Sequence, residues 1–151
     1  MKITLASIAP RRSRSKIEAT DRLFNDYLER IARYLPCESQ AFDSEAALLQ
    51  SLQQAPGRVR PYAILLDSRG QQLSSEEFAT RLTSLRDQGT QRLLLAIGPA
   101  DGWSPAARQQ AHLLFSLGRI TLPHELARVI LAEQTYRALT ILNNHPYHSG
   151  H

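Results

Sequence analysis

Three features of the sequence predict an α/β fold, a mostly parallel sheet with helices on both faces. Strand-like apolar runs alternate with helix-periodic segments along the whole chain. The segments between those runs are long enough for the crossover helices that parallel strands require. The runs PYAILLD and RLLLAIG are nearly continuous in apolar residues, as strands buried on both faces are. At 151 residues and 42% hydrophobic, the chain suffices for one ordinary domain and falls short of two. No internal repeat, low-complexity tract or linker divides it, so residues 1–151 are read as a single domain.

The elements follow in order. KITLASI (residues 2–8) alternates well enough for a strand, which the following Pro-Arg-Arg-Ser ends. Ile17, Thr20, Phe24, Leu28, Ile31 and Leu35 recur every three or four residues, one face of a helix that Pro36 stops. CESQAFD can form a short strand, and Asp43 or Ser44 can cap a helix running through Leu52 until Pro56-Gly57 breaks it. PYAILLD is the third strand. Ser74-Ser75-Glu76-Glu77 opens a helix that Gly89 closes. RLLLAIG leads into the loop Gly98-Pro99-Ala100-Asp101-Gly102, after which Ser104-Pro105 is a cap with proline at the first helical position. LLFSLGRITL reads as a fifth strand ending at Pro123, and residues 124–142 form a long helix without Gly or Pro before the tail NNHPYHSGH.

Composition narrows the function classes. No stretch approaches the roughly 20 apolar residues of a membrane helix, and KITLASIAP lacks the basic start and long apolar centre of a signal peptide, so a cytoplasmic protein is expected. The single Cys37 forms neither an internal disulfide nor a zinc cluster and reads as a packed small hydrophobe. Net charge is +4, and Arg11, Arg12, Arg14 and Lys16 crowd the loop after the first strand with Ser13 and Ser15 between them. Four cations and two hydroxyls there suit a phosphate backbone, although such runs also occur as plain solvated loops.

Ligands of open α/β sheets collect at the carboxyl ends of strands, which points to the turns after Leu66, Ile97 and Leu117. Each turn carries glycine: Gly70, Gly98 with Gly102, and Gly118. Glycine leaves main-chain donors reachable, as an adenine or ribose held by backbone groups needs, but it also simply makes turns. No G-x-G-x-x-G or P-loop string is present, which disfavours ordinary dinucleotide and nucleoside-triphosphate sites. Neither a Ser-His-Asp order, a paired-carboxylate spacing nor an H-E-x-x-H string supports hydrolase chemistry. His145, His148 and His151 recur every third residue, but no acidic or thiol ligand adjoins them, so no metal is expected; Tyr147 between them suits stacking on a base or partner surface. Glu133 and Arg137 are spaced for a surface ion pair, and His124, directly after Pro123, reads as a cap or hinge residue.

The C-terminal third carries a resemblance. LLLAIGPADGWSP and FSLGRITLPHELARVILAEQTYRALTILNNHPYH, with TLPH, ARVILAEQTYRA and the terminal NHPYH as the specific strings, closely resemble the RlmH family of rRNA pseudouridine N3-methyltransferases, small members of the SPOUT superfamily. The resemblance extends more loosely to KITLASI and AILLD. It implies a C-terminal trefoil knot, a homodimer with the active site across its interface, and S-adenosylmethionine held by Leu66, Gly98, Leu117, Gly118, Arg119, Ile120, Thr121 and Leu122. It also implies a pseudouridine in helix 69 of the 23S rRNA within the assembled 70S ribosome as substrate, with no metal or membrane. His124, Arg137, Tyr147 and His148 are the candidates for substrate placement or proton handling, and Arg11, Arg12, Arg14 and Lys16 for gripping rRNA phosphates. The chain departs from the family's pattern twice: the loop usually has two adjacent glycines followed by Pro-Glu-Gly where this chain has Gly98-Pro99-Ala100-Asp101-Gly102, and Ser149 stands where a basic residue is usual. Two alternatives stay open on sequence: a knotted methyltransferase acting on another RNA, and a catalytically weakened homologue that binds RNA or ribosomes.

Overall fold

The computed structural model describes residues 1–9, 18–53 and 56–149. Strands β1 (Lys2–Ile8), β2 (Cys37–Phe42), β3 (Tyr62–Gln72), β4 (Arg92–Ile97) and β5 (Leu113–Ser116) form one sheet in the order β2-β1-β4-β3-β5. All four pairings are parallel. Helices α1 (Glu18–Ala32), α2 (Glu45–Ser51), α3 (Ser75–Asp87) and α4 (Pro105–Gln110) make the crossovers, α5 (His124–Leu142) follows the last strand, and Pro146–His148 is a final 3₁₀ turn. Residues 10–17, and with them Ile17 and the basic cluster Arg11, Arg12, Arg14 and Lys16, lie outside the described residues, as does His151.

The expected two-faced arrangement is present. On one face α1, α3 and α5 bury Phe24, Ile31, Phe78, Leu82, Leu131 and Leu139 against Ile3, Leu5, Ile64, Leu93 and Leu95 of the sheet. The other face is thinner: α2 and α4, with Trp103, cover Ala6, Ile8, Ala63, Leu65, Leu94 and Ala96. Alternate residues of β3 and β4 therefore enter different cores, which is why these strands read as unbroken apolar runs rather than alternating ones. Burying one such Leu or Ile contributes about 1.5–3 kcal/mol.

The helix starts follow their sequence signals. Ser44, the nearer of the two cap candidates, accepts from the Ala47 amide at 3.1 Å. Ser74 and Glu77 form a reciprocal capping box, with Ser74 N donating to Glu77 Oε2 at 2.7 Å and Glu77 N to Ser74 Oγ at 3.1 Å. Ser104 caps α4, with Pro105 at its first position.

Two strands differ from expectation. β3 continues five residues beyond Asp67 to Gln72, because Leu66 and Gln71 both pair with Phe115 and residues 67–70 bulge out between them. β5 ends at Ser116 rather than running to Leu122. There Gly118 takes φ +122, and the Ser116 hydroxyl donates to the Gly118 carbonyl at 3.0 Å and accepts from its amide at 3.2 Å. That local turn competes with the ladder and peels the chain away from the sheet. Residues 117–123 become a loop leading into α5.

Candidate functional site

The bulge of β3, the loop after β4 and the loop after β5 converge at one edge of the sheet, where parallel strands all present their carboxyl ends. They enclose a cleft of about 560 Å³, within the range of small-molecule sites. Leu66, Gly98, Leu117, Gly118, Arg119, Ile120, Thr121 and Leu122, the eight positions expected to hold a cofactor, all line it, and His124 stands at its α5 end. The main chain of residues 119–122 has no hydrogen-bonding partner among the described residues, which leaves its amides and carbonyls for solvent or a ligand. His124 is not the helix cap: Pro123 occupies that position, and among the described residues no side chain caps the helix. Nδ1 of His124 lies 3.5 Å from Glu125 Oε1, and its Nε2 is buried without a partner among the described residues. A buried polar atom left in this state costs free energy unless something fills the gap. Apolar Leu66, Leu117 and Leu122 and the unpaired main chain of residues 119–122 together suit a ligand with an aromatic base and polar edges, so the residues present fit an adenosyl group.

Trp103, the single tryptophan of the chain, was not marked by sequence reasoning and organises the cleft floor. It is 3% exposed, and its Nε1 donates to the Leu66 carbonyl at 2.8 Å, tying the β4 loop to the end of β3. Gly98 is glycine because of this ring: a Cβ there would lie 2.7 Å from Trp103 Cε2. The space a side chain would need is therefore taken by protein, while the main chain at Gly98 still borders the cleft. In the altered loop Gly102 N donates to the Pro99 carbonyl at 2.9 Å, so Pro99 and Ala100 sit within a closed turn. Pro99 also removes one main-chain donor from the rim.

Asp67 is a second residue the sequence marked only as part of an unusual turn. Its carboxylate, 4% exposed, accepts from Arg108 Nε at 2.7 Å and from the Arg69 amide at 2.8 Å. Burial by itself raises its pKa, but the bonds from Arg108 and the Arg69 amide outweigh it and hold the carboxyl below its ordinary value. This pair pins the β3 bulge to α4.

Arg137, Tyr147 and His148 are brought together, but away from His124. They lie toward the other end of α5, where thirteen residues at 1.5 Å rise separate Arg137 from His124 by about 20 Å. Here the tail folds back on its own chain. Arg137 donates from Nε to Glu133 Oε1 at 2.9 Å, and its second terminal nitrogen lies 2.8 Å from the same oxygen. Both side chains are only 17% exposed, so the expected surface pair is a half-buried one. Burial opposes the charge on Arg137, yet Glu133 raises its pKa overall. The Tyr147 hydroxyl donates to Glu133 Oε1 at 3.0 Å and lies 3.5 Å from the Tyr27 hydroxyl, while its ring meets Tyr136 edge-on at 4.7 Å. Burial, then the bonds to Tyr27 and Glu133, push the phenol well above its ordinary pKa, so it stays a protonated donor. His148 faces Arg137 through Nδ1 at 3.1 Å and Glu76 through Nε2 at 2.8 Å.

Cys37 is half-buried, and burial followed by the charge of Glu38 pushes its thiol up to about 12, which keeps it protonated at neutral pH and matches a packed small hydrophobe. Among the described residues no group of three His, Cys, Asp or Glu side chains is assembled that could hold a metal ion, and no helix is long and apolar enough to cross a membrane.

Comparison with known proteins adds independent findings. A family model described as a predicted SPOUT methyltransferase matches residues 1–148. A protein of Koribacter versatilis named ribosomal RNA large subunit methyltransferase H is 49% identical over 138 residues, covering 91% of this chain and 94% of that one. A Mesorhizobium japonicum protein of the same name is 38% identical across 98% of this chain and 99% of its own length. Among solved structures, one titled as a probable methylase family protein from Haemophilus influenzae superposes with a TM-score of 0.56 over 98% of this chain and 70% of that one. At 9% identity that likeness speaks for the fold alone.

Proposed function

The chain belongs to the SPOUT methyltransferase family as an rRNA methyltransferase of the RlmH group, and from that premise we propose that it methylates N3 of a pseudouridine in helix 69 of the 23S rRNA, with S-adenosylmethionine as donor. The observation that carries this reading is the convergence of Leu66, Gly98 and residues 117–122, far apart in sequence, on one cleft at the carboxyl ends of β3, β4 and β5. In that cleft the unpaired main chain of residues 119–122 would read the polar edges of the adenosyl group, and Leu66, Leu117 and Leu122 would cover its faces. When bound, S-adenosylmethionine supplies an electrophilic sulfonium methyl.

What remains for the protein is to align the target nitrogen and favour loss of its proton. Arg137 is suited to the second task, since a fixed cation beside an imide N–H stabilises the anion and lowers its pKa. Its charge is secured by Glu133. Tyr147, committed as a donor, suits placement of the base rather than proton abstraction. His124, bordering the donor cleft, would complete the set.

The separation of about 20 Å between His124 and Arg137 along α5 means one chain cannot bring its own tail cluster to its own cleft. We therefore read the working enzyme as a homodimer in which one protomer's Arg137, Tyr147 and His148 face its partner's cleft. Ile120 at 82% exposure and Leu126 at 46% are large apolar residues left open beside the cleft, where an interface would cover them. The same reading includes a C-terminal trefoil knot, work in the cytoplasm on the 70S ribosome, and Arg11, Arg12, Arg14 and Lys16 as phosphate contacts. Ala9, which follows β1 and leads into that basic segment, lies at the same edge of the parallel sheet as the cleft.

The test is calorimetric titration of the purified protein with S-adenosylmethionine, followed by methylation of 70S ribosomes with the product mapped by mass spectrometry. Saturable binding and a single methyl on the helix 69 pseudouridine are expected. Binding with a methyl elsewhere would move the substrate to another RNA site, and absence of binding would overturn the cofactor assignment.

A further inference from the structure

We propose that Glu76 is a positioning residue of the methyl-transfer site: it holds His148 in one tautomer, and His148 in turn holds Arg137. The inference rests on the methyltransferase reading above and extends it to an element, α3, that touches neither cleft nor substrate in that reading.

The argument is one of donors and acceptors. A guanidinium only donates, so the 3.1 Å contact between Arg137 and His148 Nδ1 requires a lone pair on Nδ1. The ring proton is then on Nε2, and it points at Glu76 Oε1, 2.8 Å away. A carboxylate only accepts, so the two contacts demand the same tautomer. With both nitrogens engaged inside the protein, His148 has no free position from which to exchange a proton with substrate. It acts as a spacer that passes the position of Glu76 on to Arg137, whose other hydrogen bond and ion pair both go to Glu133 and whose guanidinium stands 4.9 Å from the centre of the Tyr147 ring.

Glu76 is well placed for this. It sits in the first turn of α3, which the Ser74–Glu77 capping box fixes. Its own backbone amide and then the bond from His148 hold its carboxyl down to about 2, so it is ionised wherever the enzyme works. His148, in contrast, stands on a three-residue 3₁₀ turn whose internal bonds are local: Ser149 N to the Pro146 carbonyl at 3.0 Å and Tyr147 N to His145 Nδ1 at 3.2 Å. Nothing in those bonds fixes the rotation of the His148 ring. Glu76 is also 62% exposed, and an exposed pair of this kind contributes little to stability. A purely structural role therefore predicts no change in turnover when it is removed.

The experiment uses the full chain, unsubstituted and as Glu76→Ala and Glu76→Gln, with three readouts: calorimetry with S-adenosylmethionine, kcat and KM on 70S ribosomes, and the tautomer of His148 by ring-nitrogen NMR. In the unsubstituted protein His148 is expected as the Nε2–H tautomer. Glu76→Ala should give a tautomer mixture and a kcat lower on the order of tenfold, the scale of one hydrogen bond to a charged group, with unchanged affinity for the donor. Glu76→Gln, whose amide oxygen still accepts from Nε2–H, should restore the tautomer and most of the lost turnover. An Nδ1–H tautomer in the unsubstituted protein, or an unchanged kcat in Glu76→Ala, overturns the proposal. If the tautomer follows Glu76 but the unsubstituted protein methylates no ribosome, the positioning of His148 stands and the methyltransferase reading falls.

Discussion

Replacing Gly98 with alanine puts a methyl group where Trp103 already sits. The added Cβ would lie 2.7 Å from Cε2 and 2.9 Å from both Cδ2 and Nε1 of the indole, whereas carbon atoms in comfortable contact are about 3.5–4.0 Å apart. The ring would have to retreat by roughly an ångström. It cannot do so freely, because Nε1 is bonded to the Leu66 carbonyl at 2.8 Å and the side chain is 3% exposed. Overpacking of this kind costs about 1–3 kcal/mol, and losing the Leu66 bond adds about 1 kcal/mol, so about 2–4 kcal/mol is expected in all. For a chain of this size that lowers Tm by roughly 4–16 °C. Trp103 is the only tryptophan, so its emission reports the same event: thermal unfolding followed by fluorescence should show the lower Tm and a red-shifted native spectrum. The double variant Gly98→Ala with Trp103→Leu should cost less than the sum of the two single changes, because the leucine leaves room for the methyl. A Gly98→Ala protein with the parent's Tm and emission would refute the packing argument, and with it the claim that the ring explains the glycine.

Arg137→Ala should lower methylation of ribosomes at least tenfold, on the scale of a lost charge-assisted contact, while affinity for S-adenosylmethionine and the circular dichroism spectrum stay those of the parent; unchanged kcat removes the residue from the site. Asp67→Asn should cost about 1–2 kcal/mol at neutral pH by urea denaturation, since the amide loses the charge that Arg108 and the Arg69 amide stabilise. Because the folded pKa of Asp67 lies below its ordinary 3.8, its contribution is complete above that value and is lost as pH falls through the folded pKa; the variant should lack that part of the acid destabilisation, and parallel pH profiles would contradict the assignment. Ile120→Glu and Leu126→Glu should shift the protein to monomer by light scattering and abolish methylation together, and an active monomer would overturn the shared site.

Much of the fold was legible because its signals are local. A proline at the first position of α4 and Ser44, Ser74 and Ser104 beside their helix starts need only neighbouring residues to act, so the helix boundaries emerged nearly to the residue. The strands buried on both faces were equally plain in PYAILLD and RLLLAIG. The end of β5 was not legible: LLFSLGRITL is apolar enough to continue, and what stops it is a hydroxyl turned onto Gly118. Nor was the reach of β3, since polar Gln71 and Gln72 rejoin the sheet only by pairing with Phe115 and Ser116 of β5.

The candidate site divides along the same line. By itself the amino-acid sequence determined the strand-end turns and carried the family resemblance, beside which Arg137, Tyr147 and His148 stand as candidates. The tertiary structure alone decided which of these meet. It brought Leu66, Gly98 and the run 117–122, three separated segments, to one cleft and put Trp103 beneath Gly98. It also tied His148 to Glu76, 72 residues away, and set His124 and Arg137 at well-separated points of α5. The reason is physical: a cap or an apolar period is settled within a turn or two of chain, whereas a contact between distant residues exists only after strand order has fixed which ends lie side by side.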